Sequence, residues 1–153
     1  RENTSLASLK ENSHSGFIDF SWEKREAVSY IDKLRIKTPS DSAIIKNLSG
    51  GNQQKVVIAK WLLAKSKILI MDEPTRGIDV NAKAEIYELM KNFVEEGGSI
   101  ILVSSELPEV LGCSNRIMVM REGYVTGFLD SAEATEENVM LFASKGNEEV
   151  VYE

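Results

Sequence analysis

The stretch that decides the fold runs from Asn47 to Val80 and reads NLSGGNQQKVVIAKWLLAKSKILIMDEPTRGIDV. Three patterns follow one another in it without a gap. A Ser-Gly-Gly turn opens a helix, a short apolar run ends in an acidic pair, and a turn with Pro74, Gly77 and Asp79 leads into a second helix. Helices and strands that alternate along a chain pack as layers, so this order predicts an α/β fold.

The helix predicted before this stretch runs from Ser21 to Ile36. Ser21 is a suitable N-cap, and Pro39 ends the helix because its ring disfavours helical backbone at the residue before it. Four residues at helical spacing predict the buried face: Ala27, Val28, Ile31 and Leu34.

Two runs, Lys67–Asp72 and Ser99–Ser104, are too short and too continuously apolar for amphipathic helices, so we interpret them as strands buried on both faces. Helices are predicted over Asn52–Lys65 and Val80–Glu96, and the glycine pair at 97–98 ends the second. The remaining predicted elements are a short helix, a strand, its hairpin partner and a closing helix: Glu106–Leu111, Arg116–Met120, Tyr124–Leu129 and Thr135–Ser144.

The composition is that of an ordinary globular domain, with 153 residues, 42% of them hydrophobic and 27% charged. The net charge is -6 without a basic block, which argues against nucleic acid as a partner. The single cysteine, Cys113, fits a reducing compartment. No apolar run reaches the roughly 20 residues that span a bilayer. Because the chain begins with Arg1 rather than Met, we expect a fragment or a processed product.

The Ser-Gly-Gly turn has the chemistry of a phosphate site. A helix N-terminus presents unpaired N–H groups and a partial positive charge, and Gly50 and Gly51 let the backbone approach an anion closely. The Ser49 hydroxyl and the Gln53 amide add donors. Taken alone, the turn is also explained by an ordinary serine N-cap, but the Asn-Gln-Gln-Lys that follows favours the phosphate interpretation.

The acidic pair stands at the carboxyl end of a predicted strand, where open α/β sheets bind their ligands. Asp72 can hold the water shell of a Mg²⁺ ion, which prefers carboxylate and phosphate oxygens. Glu73 can orient or deprotonate the water that attacks a γ-phosphate. A solvated acidic turn is the alternative, and the preceding glycine-rich helix start argues against it.

Two further residues have simpler explanations. Asp79 can be the N-cap of the helix that follows it. His14 could be a metal ligand or a general base, but no Cys, Asp or Glu stands nearby at ligand spacing, so we expect an exposed loop histidine.

Four motifs, LSGGNQQK, MDEPTRGIDV, VSSELPEVLG and NRIMVMREGYVTG, together resemble the C-terminal cassette of monosaccharide importer ATPases of the ribose, galactose and xylose type. The resemblance extends from about Arg1 to Gly146. It implies a P-loop NTPase-type core of the ATP-binding cassette (ABC) class with a helical subdomain. The implied function is ATP hydrolysis coupled to monosaccharide import.

In this family two cassettes lie on one polypeptide, and ATP is sandwiched between the phosphate loop of one and the signature of the other. The second cassette typically has a full signature and a degraded phosphate loop. The resemblance therefore implies that Asp72 and Glu73 line the less competent pocket, with Mg²⁺ at Asp72. It also implies that the signature residues serve ATP bound mainly by the other cassette: Ser49, Gly50, Gly51 and Gln53.

The resemblance assigns roles to two more residues. Asp79 falls in the D-loop, which contacts the opposing cassette. Ser105 stands where most ABC ATPases have a switch histidine that contacts the γ-phosphate. Serine can donate one hydrogen bond but cannot carry the charge or the proton of an imidazole, so one expected catalytic part is missing.

The phosphate loop is the largest absence, because the motif G-x-x-x-x-G-K-[ST] does not occur in the sequence. The resemblance implies a helical subdomain over 1–65, half of the ATPase core over 66–146, and a tail over 147–153, with fraying expected from 145. We expect the chain alone neither to bind ATP tightly nor to hydrolyse it. Without the phosphate-loop strand, we expect unpaired strand edges and uncovered apolar faces.

The implied partners are transmembrane permease subunits, another ABC cassette and, indirectly, an extracellular or periplasmic sugar-binding protein. The implied location is the cytoplasmic side of the membrane. Two alternatives remain, a non-transport ABC ATPase and a non-catalytic module that only completes the site of another subunit. The first usually brings basic patches, coiled-coil insertions or zinc cysteines, which the sequence lacks.

Overall fold

A computed structural model describes residues 1–14 and 16–144, and the contacts divide the chain into two compact units. The first unit is Arg1–Ile101 and the second begins at Leu102. The predicted frayed tail and the side chain of His14 lie outside the described residues. No helix in the described ranges is long and apolar enough to cross a membrane.

The first unit opens with short elements. Helix α1, Glu2–Ser5, continues into a 3₁₀ turn, Leu6–Ser8. A small antiparallel hairpin follows, formed by β1, Ser13–His14, and β2, Phe17–Ile18.

Helix α2, Phe20–Lys33, begins at a different cap from the predicted one. Its N-cap is Asp19, whose carboxylate accepts hydrogen bonds from the N–H groups of Ser21 and Trp22. The predicted Ser21 cap is therefore wrong, because the helix already begins at Phe20 and Ser21 lies inside its first turn. The predicted buried face is wrong at Val28, which is 49% exposed.

The end of α2 is set by a backbone turn rather than by Pro39. Arg35 has a φ of 50°, and its N–H donates to the Asp32 carbonyl at 3.0 Å. The N–H of Ile36 donates to the Ile31 carbonyl at 2.8 Å, which completes a Schellman motif. The predicted end at Ile36 is thus three residues too late.

Two helices and two strands follow, as predicted apart from shifts of a few residues at their ends, and the second strand crosses the boundary of the first unit. A 3₁₀ turn at Ile45–Asn47 precedes them. Strands β3 and β4 pair with each other, and the Ser99 N–H donates to the Lys67 carbonyl at 2.9 Å. The elements are α3, Gly50–Leu63; β3, Ile68–Asp72; α4, Val80–Glu95; and β4, Ser99–Val103.

The core of the first unit lies among its helices. Leu34 and Ile36, just after α2, are buried with Ala59 of α3. Helix α4 turns its apolar face inward, with Ile86 fully buried and Met90 6% exposed. It ends as predicted at the glycine pair 97–98, where Gly97 has a φ of 93°.

Strand β3 is buried on one face only. Leu69 and Met71 line a small apolar gap with residues of α3 and α4. The other face leaves Ile68 61% and Ile70 73% exposed, and in β4 Ile101 is 53% exposed. The prediction that both faces are buried is therefore wrong, because no layer of the described chain covers the second face. Such an uncovered apolar face is what a missing core strand leads one to expect.

The second unit contains a helix, a hairpin and a closing helix. Helix α5, Leu107–Cys113, accommodates Pro108 in its first turn. Strands β5, Arg116–Arg121, and β6, Tyr124–Asp130, form the predicted antiparallel hairpin, with a register shift after Val119. Helix α6 is Glu136–Ser144. Its Val139 packs on the buried side of β5 with Ile117 and Val119.

Candidate functional site

The signature turn presents Ser49 at the start of α3. Ser49 is exposed, takes the N-cap position with extended backbone, and makes no side-chain cap bond. Its Oγ accepts a hydrogen bond from Asn52 Nδ2 at 2.7 Å. Asn52 Oδ1 in turn accepts from the Lys37 N–H at 2.7 Å. The hydroxyl oxygen is thus fixed by Asn52, which leaves the hydroxyl proton to donate to a ligand.

Gln53 helps to close the same turn. Its Nε2 donates to the Leu48 carbonyl at 2.7 Å, and its backbone N–H donates to the Ser49 carbonyl at 2.9 Å. One of the two N–H groups of the amide is therefore used inside the turn. The predicted contact of this amide with phosphate stays a prediction and rests on the second N–H.

The two glycines of the turn have different surroundings. Gly50 is exposed, and a Cβ built on it would lie 3.4 Å from Ile78 Cγ2. Gly51 is buried, and a Cβ built on it would lie 2.5 Å from the Ala82 Cβ. Gly51 therefore permits close approach of α3 to α4, a packing reason that the sequence did not reveal.

The acidic pair lies where β3 ends. Asp72 is the last residue of the strand and is exposed. Glu73 is half-buried and has a φ of 46°, an uncommon conformation for a residue other than glycine. Pro74 and Thr75, which follow, are fully buried. This backbone conformation, next to a buried turn, fixes the direction in which the Glu73 side chain leaves the chain.

The donor set at Asp72 fits one kind of metal site. Within the described ranges no group of three or more His, Cys, Asp or Glu residues could hold a metal. Mg²⁺ commonly takes only one or two carboxylates and completes its shell with water and nucleotide phosphates. An exposed carboxylate at the end of a strand suits that mode, and it does not suit an all-protein cage.

Asp79 begins α4. Its carboxylate accepts a hydrogen bond from the Ala82 N–H at 3.0 Å, so it is the N-cap. Gly77, two residues earlier, has a φ of 74°, which a residue without a Cβ adopts at little cost. Asp79 is nonetheless exposed, and one of its oxygens caps the helix without excluding a second contact. The D-loop role stays a prediction.

Ser105 lies in the second unit, between the end of β4 and the start of α5, and is exposed. The neighbouring Ser104 accepts a hydrogen bond from the Glu106 N–H on its Oγ at 3.0 Å. This local turn fixes the backbone on either side of Ser105. Contact of Ser105 with a γ-phosphate stays a prediction.

Sequence reasoning missed an ion pair behind the signature turn. Lys55, with 3% of its side chain exposed, places Nζ 2.7 Å from Glu85 Oε2 and 3.2 Å from the Arg35 carbonyl oxygen. A signal was present, because Lys55 stands four residues after Gly51 and four before Ala59, in register with the buried face of α3. A lysine at such a position needs an acidic partner.

Comparisons with known proteins agree with the predicted family. The sequence model of the ABC transporter family matches residues 1–76, which include the signature turn and the acidic pair. The ribose import ATP-binding protein RbsA of Oceanobacillus iheyensis is 54% identical over 147 residues, covering 96% of this chain and 30% of that protein. The xylose import ATP-binding protein XylG of Moorella thermoacetica is 53% identical over 145 residues, covering 95% of this chain and 29% of that protein.

A solved structure shows the same fold. The dimeric structure of MJ0796, a bacterial ABC transporter cassette, matches with a TM-score of 0.68 at 22% sequence identity. The match covers 84% of this chain and 54% of that one. The predicted class, an incomplete ABC ATPase core of mixed helices and strands, is confirmed.

The fold and the motifs thus define an ATP-binding cassette, and the chain belongs to the ABC transporter family. Its relatives within that family include ribose and xylose import ATP-binding proteins. The chain spans about 30% of the length of these curated relatives.

Proposed function

We propose that this chain is part of the ATP-binding component of a monosaccharide importer and that its main task is to complete an ATP site held by another cassette. The observation that carries the proposal is the exposed start of α3, where Asn52 fixes the Ser49 hydroxyl oxygen. A helix N-terminus with an oriented hydroxyl is suited to a phosphate. The names of the ribose and xylose relatives support the choice of substrate class.

The partner cassette supplies what this sequence lacks. No G-x-x-x-x-G-K-[ST] motif occurs among the 153 residues, so the β- and γ-phosphates have no cradle of the usual kind here. The signature turn meets the γ-phosphate of ATP held on the partner's phosphate loop. Its N–H groups and the Ser49 hydroxyl then stabilise charge on the phosphate.

The acidic pair serves the pocket on this cassette's own side. Asp72 holds Mg²⁺ through water, and the ion supplies neutralisation of phosphate charge when it is bound. Glu73 orients the attacking water and accepts its proton. Ser105 donates a hydrogen bond in place of the usual histidine but cannot relay a proton. This pocket is therefore the less active of the two.

The remaining assignments belong to the same proposal. Residues 1–65 form a helical subdomain that binds the transmembrane permease, and residues 66–146 form half of the ATPase core. Asp79 contacts the opposing cassette. The assembly lies on the cytoplasmic side of the membrane, and a sugar-binding protein outside delivers the substrate to the permease.

A chimera tests the proposal. This chain replaces the aligned 147 residues of the Oceanobacillus RbsA protein, and the chimera is expressed in that host in place of RbsA. We expect ATP-dependent ribose uptake, which Ser49→Arg abolishes. Glu137→Gln, on the exposed first turn of α6, is the control and leaves uptake unchanged. A folded chimera that neither hydrolyses ATP nor supports uptake would refute the proposal.

A further inference from the structure

Lys55 carries a charge in the interior of the first unit. Its ammonium group has two oxygen partners, Glu85 Oε2 at 2.7 Å and the Arg35 carbonyl oxygen at 3.2 Å. A buried ammonium is costly to desolvate unless such partners surround it. The two contacts therefore fix the end of the side chain and join three segments: the turn after α2, helix α3 and helix α4.

The ion pair and a packing contact both lie between the first two turns of α3 and those of α4. One turn before Lys55, Gly51 lies against Ala82 with no space for a Cβ between them. Ala82 stands three residues before Glu85 on α4. Because residues three or four apart share a helix face, both contacts lie on one face of each helix. The Gly51–Ala82 contact sets the distance between the two helices, and the Lys55–Glu85 ion pair sets how far one helix is shifted along the other.

These helix starts carry the two motifs that address the partner cassette in the proposed function. Ser49 caps α3 and Asp79 caps α4. Gly50, next to Ser49, lies close to Ile78, next to Asp79: a Cβ built on Gly50 would lie 3.4 Å from Ile78 Cγ2. The signature turn and the turn before α4 are thus packed against each other, with the ion pair directly behind them.

We propose that Lys55 is a positioning residue for ATP hydrolysis, which together with Glu85 fixes the signature turn relative to the turn at 77–79. This inference rests on the proposed function. Lys55 does not touch the nucleotide, because its ammonium is occupied inside the fold. It acts through Gly51 and Ser49, one and two turns away on the same helix. The Arg35 carbonyl oxygen, which also accepts from Lys55, connects the segment after α2 to the same ion pair.

The test uses the RbsA chimera with three variants of the Lys55–Glu85 ion pair: Lys55→Met, Lys55→Arg and Glu85→Gln. Lys91→Met is the matched control, since it makes the same change at an exposed lysine 3.8 Å from Glu95 on α4. For each purified chimera, kcat and KM for ATP and the thermal midpoint are measured. We expect Lys55→Met to lower kcat about tenfold, as misplacement of a reacting group does. KM changes less than about twofold, since ATP binds mainly to the partner's phosphate loop.

The two remaining variants distinguish positioning from stability. Lys55→Arg keeps the charge and should restore much of kcat. Glu85→Gln removes the negative charge and should lower kcat, while the fold is kept because the amide oxygen of glutamine can still accept a hydrogen bond from the buried Lys55 ammonium. If Lys55→Met does not fold, Glu85→Gln decides, and an unchanged kcat overturns the inference.

Three results contradict the inference in different ways. An active chimera in which Lys55→Met matches Lys91→Met overturns the positioning role and leaves the proposed function standing. A kcat that falls only as the folded fraction falls, with Lys55→Arg no better than Lys55→Met, overturns it too. A folded wild-type chimera without ATPase activity overturns the proposed function and this inference with it.

Discussion

Gly51, in the first turn of α3, faces Ala82, in the first turn of α4, so closely that a Cβ on Gly51 would lie 2.5 Å from the Ala82 Cβ. This distance is far below van der Waals contact, so any side chain at position 51 must push the two helices apart. The second glycine of the signature is therefore required by packing. Because the contact lies beside the caps Ser49 and Asp79, it also bears on the proposed nucleotide contacts.

Gly51→Ala should destabilise the first unit. Overpacking typically costs about 1–3 kcal/mol, and the better helix propensity of alanine recovers at most about 1 kcal/mol. Urea unfolding followed by far-ultraviolet circular dichroism measures the change. Gly112→Ala is the control, because nothing lies within 4 Å of a Cβ at that position of α5. Equal midpoints for the two variants would contradict the packing role.

The isolated chain should neither bind ATP tightly nor hydrolyse it. It has the signature turn and the acidic pair but no phosphate-loop motif, so the nucleotide lacks its main cradle. Phosphate release by the purified chain, with and without the complementary part of RbsA, measures the hydrolysis. Steady hydrolysis by the chain alone that disappears with Glu73→Gln would show that a complete site is present after all.

The uncovered face of β3 should cause the purified chain to self-associate. Ile68 and Ile70 are 61% and 73% exposed on that face, and neighbouring apolar side chains that are exposed to water favour contact with another apolar surface. Light scattering over a range of concentrations measures the association. Ile70→Lys should weaken it, whereas Met140→Lys, at a 57% exposed methionine on α6, should not. A monomer at all concentrations would count against this prediction.

Cys113 should react slowly with alkylating reagents. Burial raises the pKa of its thiol, and the charge of Glu109 raises that pKa further. A raised pKa means less thiolate at any given pH, and the thiolate is the nucleophile. The rate of reaction with iodoacetamide, followed against pH, should have its midpoint above that of free cysteine in the same buffer. Glu109→Gln should lower the midpoint and Glu137→Gln should not. A midpoint below free cysteine would contradict the stated effect of burial.

Elements with a clear period were predictable from the sequence. The apolar residues of α4, its glycine stop and the β5–β6 hairpin are where the pattern places them. The N-cap of α2 was not predictable. Asp19 and Ser21 are both good N-cap residues, and their types do not show at which of them the helix begins. The apolar run of β3 indicates a strand buried on both faces, but the described residues cover only one of them.

At the candidate site, the sequence indicated the residues that we predict to contact ligand but not the residues that support them. Ser49, Asp72 and Asp79 are recognisable because their motifs are local. Glu85 lies 30 residues from Lys55, and Lys37 lies 15 residues before Asn52, so these contacts depend on how the segments pack. The φ of 46° at Glu73 likewise could not be read from the residue type, since a glutamate seldom adopts it.

The most direct test of the account compares Ser49→Arg with Glu73→Gln in the full-length RbsA chimera by steady-state ATP hydrolysis. The account states that the signature turn completes the active site of the partner cassette, whereas the acidic pair serves a weaker pocket. We therefore expect Ser49→Arg to remove at least about nine-tenths of the activity, and Glu73→Gln to leave more than about half. Loss of activity in Glu73→Gln together with near-normal hydrolysis in Ser49→Arg would contradict the account.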